Sequence, residues 1–174
     1  TNTVNIAVNA AVLLCDTCIF QGSLTTTPAN TGVTVTGTGA FVSLGDCTFT
    51  RFNTGATFND NSKSNIRACN FRNNVNDITL TGGSSSQVSG CSFQLNSTGG
   101  IDIDASGAGT EIEIVASYFD GNNITGTPQG TGLKITDSAI GTAVGTQFEH
   151  YVTGIVLGTS GDTSSTQALI SNSN

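Results

Sequence analysis

Cys69-Asn70-Phe71 and Cys91-Ser92-Phe93 stand 22 residues apart and decide the fold, because the same three-residue motif recurs along the chain. In later copies a serine, a threonine or an alanine replaces the cysteine. The copies are Cys18-Ile19-Phe20, Cys47-Thr48-Phe49, Cys69-Asn70-Phe71, Cys91-Ser92-Phe93, Ser117-Tyr118-Phe119, Thr146-Gln147-Phe148 and Ala168-Leu169-Ile170. Their third positions are separated by 29, 22, 22, 26, 29 and 22 residues, which is a base period of 22 with insertions of 7, 4 and 7. A repeat of this length predicts stacked structural units.

Short strands are predicted at fixed places within each repeat. Ile78 and Leu80, with Thr79 between them, show the period-2 alternation of a strand that buries one face. One such strand cannot bury its inner face alone, so successive repeats must stack with parallel pairing. Crossover sterics make the coil right-handed. We therefore predict an all-β chain that folds as a right-handed, single-stranded parallel β-helix of about seven rungs. We expect residues 1–174 to form a single domain, cut from a longer protein.

A second regularity follows the phenylalanines, in which an asparagine stands three residues later. The copies are Phe71 to Asn74, Phe93 to Asn96 and Phe119 to Asn122, while Phe49 to Asn53 is one residue longer. Asparagine tolerates a left-handed backbone and bonds to nearby backbone groups, so these residues are predicted to make tight turns. Stacked copies would form an internal ladder of amides that satisfies the backbone at the turns.

These repeats resemble the pectate-lyase-like β-helix superfamily, with its inward ladders and turn asparagines. Phe-x-x-Asn, together with Gly99-Gly100-Ile101, also resembles the repeats of chlamydial polymorphic membrane proteins and other autotransporter-like adhesin passengers. The resemblance extends from about Ala11 to Ile170 and implies a β-helix displayed outside the cell. The catalytic motifs of polygalacturonase-like enzymes are missing from the sequence, which disfavours that activity.

The five cysteines are predicted to be structural. Cys18, Cys47, Cys69 and Cys91 share one inward position, while Cys15 shares another with aliphatic residues. Thiols in such positions behave as small buried hydrophobic groups. The preferred interpretation is a buried ladder of free thiols alongside Phe20, Phe49, Phe71, Phe93, Phe119 and Phe148. A disulfide between neighbours, or a metal site, remains as an alternative.

Charge and hydropathy exclude two classes of partner. The chain has 5 basic and 12 acidic residues, for a formal net charge of -7, and its basic residues are scattered singly. A phosphate-binding stripe is therefore not expected, nor is a nucleic-acid partner. No apolar run approaches the roughly 20 residues that a membrane-spanning helix needs.

The residue that follows each phenylalanine defines an outward column, and this column predicts one candidate catalytic site. It reads Gln21, Thr50, Arg72, Gln94, Asp120 and Glu149. Asp120 and Glu149 should therefore be neighbours, with His150 beside them. Two carboxyl groups roughly 5 Å apart are what a retaining glycosidase uses. The alternative is a pair of acids on an exposed edge.

A second acidic group predicts a possible calcium site. Asp102 and Asp104 are expected to point outward across a turn from Glu111 and Glu113, with Asp102 stacked beside Lys134. Four carboxylates near one loop could supply the oxygen ligands that Ca²⁺ prefers. They could equally form a solvated acidic edge, and no other cofactor is expected.

Two 7-residue insertions fall at the same turn of different rungs, and each contains one of the two prolines. Loops on a rigid scaffold often carry function, so these two are the predicted binding loops. Their candidate contact residues are Thr25, Thr26, Thr27 and Asn30 in the first, and Thr125, Thr127 and Gln129 in the second.

The leading hypothesis is a non-catalytic, surface-exposed segment of the adhesin-passenger or virus-fibre type. It would present a polar wall and loops to a host receptor or a glycan, at a cell or virion surface. The open β-helix ends predict flanking rungs, a partner chain or a homotrimer. Whether the chain is an enzyme stays open, and the alternatives are a tailspike-like glycosidase or polysaccharide lyase and a structural spacer.

Overall fold

The computed structural model describes residues 6–23, 30–95, 99–121, 128–158 and 166–171. Within these ranges it contains strands and turns but no helix. In chain order the strands are β1 (Ile6–Asn9), β2 (Val12–Asp16), β3 (Ile19–Gln21), β4 (Thr31–Thr36), β5 (Phe41–Gly45), β6 (Thr48–Thr50), β7 (Thr54–Asn59), β8 (Lys63–Arg67), β9 (Asn70–Asn74), β10 (Asn76–Leu80), β11 (Ser85–Ser89), β12 (Ser92–Leu95), β13 (Ile101–Ser106), β14 (Glu111–Val115), β15 (Tyr118–Asp120), β16 (Gln129–Thr136), β17 (Ile140–Val144), β18 (Gln147–Glu149), β19 (Tyr151–Leu157) and β20 (Gln167–Ser171).

Every third strand pairs in parallel with the next, so each turn of the chain, a rung, gives one strand to each of three sheets. Sheet A has the order β1-β4-β7-β10-β13-β16-β19, and sheet B has the order β2-β5-β8-β11-β14-β17-β20. Sheet C contains β3, β6, β9, β12, β15 and β18. The described residues therefore form six rungs of three strands and a seventh of two, which confirms the predicted parallel β-helix.

The core between the sheets is built from columns of identical or similar side chains. Six phenylalanines stack from Phe20 to Phe148, with ring centroids 4.4 to 5.2 Å apart and interplanar angles of 6 to 25°. Phe49, Phe71, Phe93 and Phe119 are fully buried. Rung spacing places each ring at stacking distance from the next, so the predicted phenylalanine ladder is confirmed.

The cysteine position is buried from Cys47 onward and half-buried at Cys18, and all five cysteines are free. The side chain at this position donates to the backbone carbonyl two residues earlier, at 3.0 to 3.4 Å in all six rungs. It also accepts, because the Cys91 backbone N–H donates to Ser117 Oγ at 3.2 Å. Cysteine, serine or threonine can therefore occupy this position, since each side chain is small and carries a hydrogen-bond donor. Burial raises the pKa of the Cys47 thiol to about 11, which keeps that donor protonated.

The last copy of the motif was wrongly assigned from the sequence. Strand β20 pairs with β17 in sheet B, where Ile170 lies beside Ala143 and Ala168 beside Gly141. Ile170 therefore continues an aliphatic column of sheet B, and does not extend the phenylalanine stack. Alanine at position 168 has no side-chain donor, which fits this assignment.

The asparagine turn differs from its prediction in one respect. Asn73 adopts the left-handed backbone, at φ 56°, while Asn74 points into the core and is fully buried. In the preceding rung the strand register places Phe52 at the corresponding corner, and the Phe52 backbone N–H donates to Asn74 Oδ1 at 2.9 Å. The described ladder of amides is thus interrupted by an aromatic ring. Asn96 and Asn122 lie outside the described residues.

A left-handed residue precedes the cysteine position in every complete rung. The column is Thr17, Asp46, Ala68, Gly90, Ala116 and Gly145, with φ between 47 and 60°. Only two of these six are glycine, so the other four carry the steric cost that a Cβ meets in this conformation.

We expect Ala68→Gly and Ala116→Gly each to raise the free energy of unfolding by about 0.5 kcal/mol. Both alanines are exposed, so no core contact is lost. Relief of a left-handed alanine contributes about 1–2 kcal/mol, and the freer unfolded chain of glycine removes about 0.5–1 of it. Urea unfolding would measure the change. Ala143→Gly, at a buried position in β17, should lower stability, and a loss at all three positions would contradict the steric explanation.

Candidate functional site

The outer face of sheet C carries the acidic pair predicted from the repeat. Asp120 ends β15 and Glu149 ends β18, and the two residues are direct partners in the parallel register. The column below them contains Gln94 and Arg72, as expected. The two carboxylates therefore stand on adjacent rungs, and paired strands lie about 4.8 Å apart.

Three further side chains hold these carboxylates in place. His150 Nδ1 lies 3.0 Å from Asp120 Oδ1 and 4.0 Å from Glu149 Oε2. The Tyr118 hydroxyl donates to Glu149 Oε2 at 3.0 Å, and Gln147 Nε2 donates to Glu149 Oε1. The acidic pair therefore belongs to a hydrogen-bonded cluster of five side chains, which we call the sheet C cluster.

The sheet C cluster is open to solvent. The His150 side chain is 51% exposed, that of Glu149 37% and that of Asp120 21%. Partial burial, with the hydrogen bond to Glu149, raises the pKa of Tyr118 to about 12, so its hydroxyl remains a donor at neutral pH. His150 follows β18 with a left-handed backbone, at φ 57°, which turns its ring back toward Asp120. The arrangement presents carboxylate, amide, phenol and imidazole groups that can hydrogen-bond to a hydroxyl-bearing ligand.

The predicted calcium set is not brought together. Asp102 is fully buried, and Asp104 occupies the outward position with its carboxylate 3.1 Å from Lys134 Nζ. Glu111 and Glu113 lie on the outer face of sheet B. The assignment of Asp102 was wrong because the observed register places Asp102 level with Asp77, two residues away from the predicted position. At this level both strands have two consecutive buried residues, so alternation does not hold there. Among the described residues, no three Asp, Glu, His or Cys side chains are placed to hold a metal ion together.

Two of the predicted loop contacts point inward instead. Asn30 is buried, where its Nδ2 donates to the Ser23 carbonyl at 2.8 Å and its Oδ1 accepts from the Asn53 backbone N–H at 2.9 Å. Gln129 is buried at the start of β16. Neither can meet a ligand from the surface. Thr25, Thr26, Thr27, Thr125 and Thr127 lie outside the described residues.

The outer face of sheet B contains a depression that the sequence motifs do not single out. It has a volume of about 350 Å³ and spans three rungs, between two outward columns of side chains. Gln87 Nε2 donates to Glu113 Oε2 at 2.9 Å across neighbouring rungs. The outward residues that line it are Ser85, Gln87, Glu111, Glu113, Ile140 and Thr142, which together we call the sheet B groove. Strand alternation alone could have marked these residues as outward, but not the depression between them.

Fold and surface together define a solenoid protein of the parallel β-helix class, with polar side chains on the outer faces of its sheets. A family model described as "Right handed beta helix region" matches residues 2–167. The chain therefore belongs to the right-handed β-helix family. No curated protein and no solved structure matches the chain. In the part of the chain that the structure describes, no helix is long and apolar enough to cross a membrane.

Proposed function

We propose that the chain is a non-catalytic β-helix segment at a cell or virion surface, and that it binds a glycan in the sheet B groove. The groove itself is the observation that carries this proposal. It offers carboxylate, amide and hydroxyl groups in two outward columns, repeated at the spacing of the rungs. Sugar hydroxyls are donors and acceptors, so a regular array of this kind matches their chemistry.

The charges in the groove favour a neutral glycan over an acidic one. Glu111 and Glu113 are its only charged side chains, and the whole chain has a net charge of -7. Carboxylates accept strong hydrogen bonds from hydroxyl groups but repel other carboxylates. Ile140 is 42% exposed and supplies an apolar surface for the C–H face of a sugar ring. The ligand class that fits best is therefore an uncharged oligosaccharide.

Binding to an array of neutral and acidic oligosaccharides tests the proposal, followed by calorimetry with the best neutral ligand. We expect Glu113→Gln to weaken binding about 10-fold, because a hydrogen bond to a charged group is worth roughly 1.5–3 kcal/mol. Asp16→Asn removes the same charge at the exposed end of β2, three rungs away, and should leave the affinity unchanged. Equal losses in both variants, or a preference for acidic sugars, would contradict the proposal.

The sheet C cluster supports a second candidate, cleavage of a polysaccharide by Asp120 and Glu149. The observation in its favour is their pairing on adjacent rungs, with His150 in contact with Asp120. Release of new reducing ends from an oligosaccharide, lost in Asp120→Asn, would replace the binding-only proposal with an enzyme. Absence of both binding and cleavage would favour a structural spacer, and the oligomeric state of the surface segment would then be the property to measure.

A further inference from the structure

The core of sheet A contains two carboxyl groups in a column whose other described members are all glycine. The residues at this level are Gly32, Gly55, Asp77, Asp102, Gly132 and Gly154. Asp77 and Asp102 occupy adjacent rungs, and both are fully buried. The β-helix therefore has acids where a Cβ has little room, since a Cβ at Gly55 would lie 2.7 Å from the Asp77 carbonyl oxygen.

Each acid has one oxygen that bonds to a neighbouring side chain. Asn74 Nδ2 donates to Asp77 Oδ1 at 2.8 Å, and the Tyr151 hydroxyl donates to Asp102 Oδ2. The other oxygen of each acid, Asp77 Oδ2 and Asp102 Oδ1, has no such donor. Asp77 and Asp102 stand level on paired strands, which lie about 4.8 Å apart, so the two buried carboxyl groups are neighbours and each affects the pKa of the other.

No positive charge compensates the pair among the described residues. The ion pairs found there involve Asp104, Asp120 and Glu149, and none involves either buried acid. The titratable groups that act on the pair are the Tyr151 hydroxyl from β19 and, through its charge, Asp120 from β15. Two buried carboxylates cannot both be ionised in such a site without a large cost.

We propose that Asp77 and Asp102 share a proton between Asp77 Oδ2 and Asp102 Oδ1, and that this buried acid pair makes the β-helix more stable in acid than at neutral or alkaline pH. The shared proton gives a partner to both remaining oxygens. Burial raises the pKa of Asp77 to about 7, and burial with the charge of Asp77 raises that of Asp102 well above its usual range.

The direction of the effect follows from these raised values. Below about pH 4 the acids are protonated in both the folded and the unfolded chain, so they contribute no pH dependence. As pH rises from about 4 to 7 and beyond, the unfolded chain releases protons that the folded chain keeps. The folded chain therefore binds more protons, and its stability falls with increasing pH across this window.

Asp77→Asn tests the pair because the amide reproduces the shared proton. Its Oδ1 can accept from Asn74, and its Nδ2 can donate to Asp102 Oδ1 at every pH. Both Tm values are compared at pH 5 and pH 8. We expect the decrease in Tm of the wild type over this range to exceed that of the variant by roughly 5 °C or more. Asp104→Asn, on the outer face of the same strand as Asp102, is the matched control and should keep the wild-type profile.

A direct measurement separates the shared proton from general instability of a variant. Carboxyl ¹³C NMR of the wild type at pH 6 should show a protonated aspartate signal that is absent from Asp77→Asn. Parallel pH profiles for wild type and Asp77→Asn would overturn the proposal. A wild-type Tm at pH 8 that depends on added Ca²⁺ or Na⁺, and loses that dependence in Asp77→Asn, would also overturn it by assigning a cation to the site.

Discussion

Phe71→Ala is expected to lower the free energy of unfolding by about 4 kcal/mol. Phe71 is fully buried at the centre of the phenylalanine stack, with ring centroids 4.8 Å from Phe49 and 5.2 Å from Phe93. Its ring also fills the space beside Gly55, where an added Cβ would lie 3.1 Å from Phe71 Cδ1. Truncation therefore removes buried apolar area, two stacking partners and the atoms that fill this gap. Urea unfolding measures this loss of free energy. In thermal unfolding the Tm should fall by roughly 10 °C.

Position along the stack supplies the matched control. Phe20 has one described neighbour in the stack, Phe49 at 4.5 Å, and is 5% exposed at the end of the column. Phe20→Ala should therefore cost roughly half as much as Phe71→Ala, while Phe71→Leu should cost only about 1.5 kcal/mol because it keeps most of the volume. Equal losses at both positions would mean that stacking between rungs adds nothing to the burial of a single ring.

The part of the site that the sequence predicted lies immediately after the phenylalanine positions, before the insertion of the rung begins. Asp120 and Glu149 follow the phenylalanine position directly, so their register is set by Phe119 and Phe148. Counting from an inward ring is reliable over one residue, because alternation in a strand leaves only one outward choice. The same count placed Arg72 and Gln94 in their observed column.

Asp102 was misplaced because an insertion separates it from the nearest fixed point. After Phe93, either Ile101 with Ile103 or Ile103 with Ala105 can form the inward pair, and both choices preserve alternation. The pairing of Ile103 with Ile78 decides between them, and this contact is between rungs. It also places Asp102 level with Asp77, where each strand has two consecutive buried residues and alternation fails. Local pattern also argues against a buried aspartate, since the hydrogen bonds that make it tolerable come from residues far along the chain.

Asn30 and Gln129 show a second limit of the sequence pattern. Both lie at the ends of polar insertions, where composition predicts exposure. Asn30 instead satisfies two backbone groups, and so performs inside the β-helix the task expected of the turn asparagines. The sheet B groove escaped prediction for another reason. It depends on the relative sizes of six outward side chains, which alternation does not specify.

Asn74→Ala is the second change expected to have a large effect, a loss of about 4 kcal/mol in the free energy of unfolding. Asn74 is fully buried, and its side chain makes three hydrogen bonds. Oδ1 accepts from the Phe52 backbone N–H at 2.9 Å, while Nδ2 donates to the Phe49 carbonyl at 3.1 Å and to Asp77 Oδ1 at 2.8 Å. Alanine leaves all three groups buried without a partner, at roughly 1–3 kcal/mol each before relaxation.

Two further variants distinguish hydrogen bonding from packing at this corner. Asn74→Asp keeps the shape and the acceptor but loses both donors, so it should be nearly as unstable as alanine at pH 7 and should recover in part at pH 5, where the new acid is more readily protonated. Asn65→Ala removes an asparagine from the exposed face of β8. In urea unfolding it should change the free energy of unfolding by no more than about 0.5 kcal/mol. If Asn74→Ala behaved like Asn65→Ala, the backbone groups at the corner would have found other partners. If Asn74→Asp matched the wild type at pH 7, the bond to Asp77 would contribute nothing, because the two donors that distinguish asparagine from aspartate would then be dispensable.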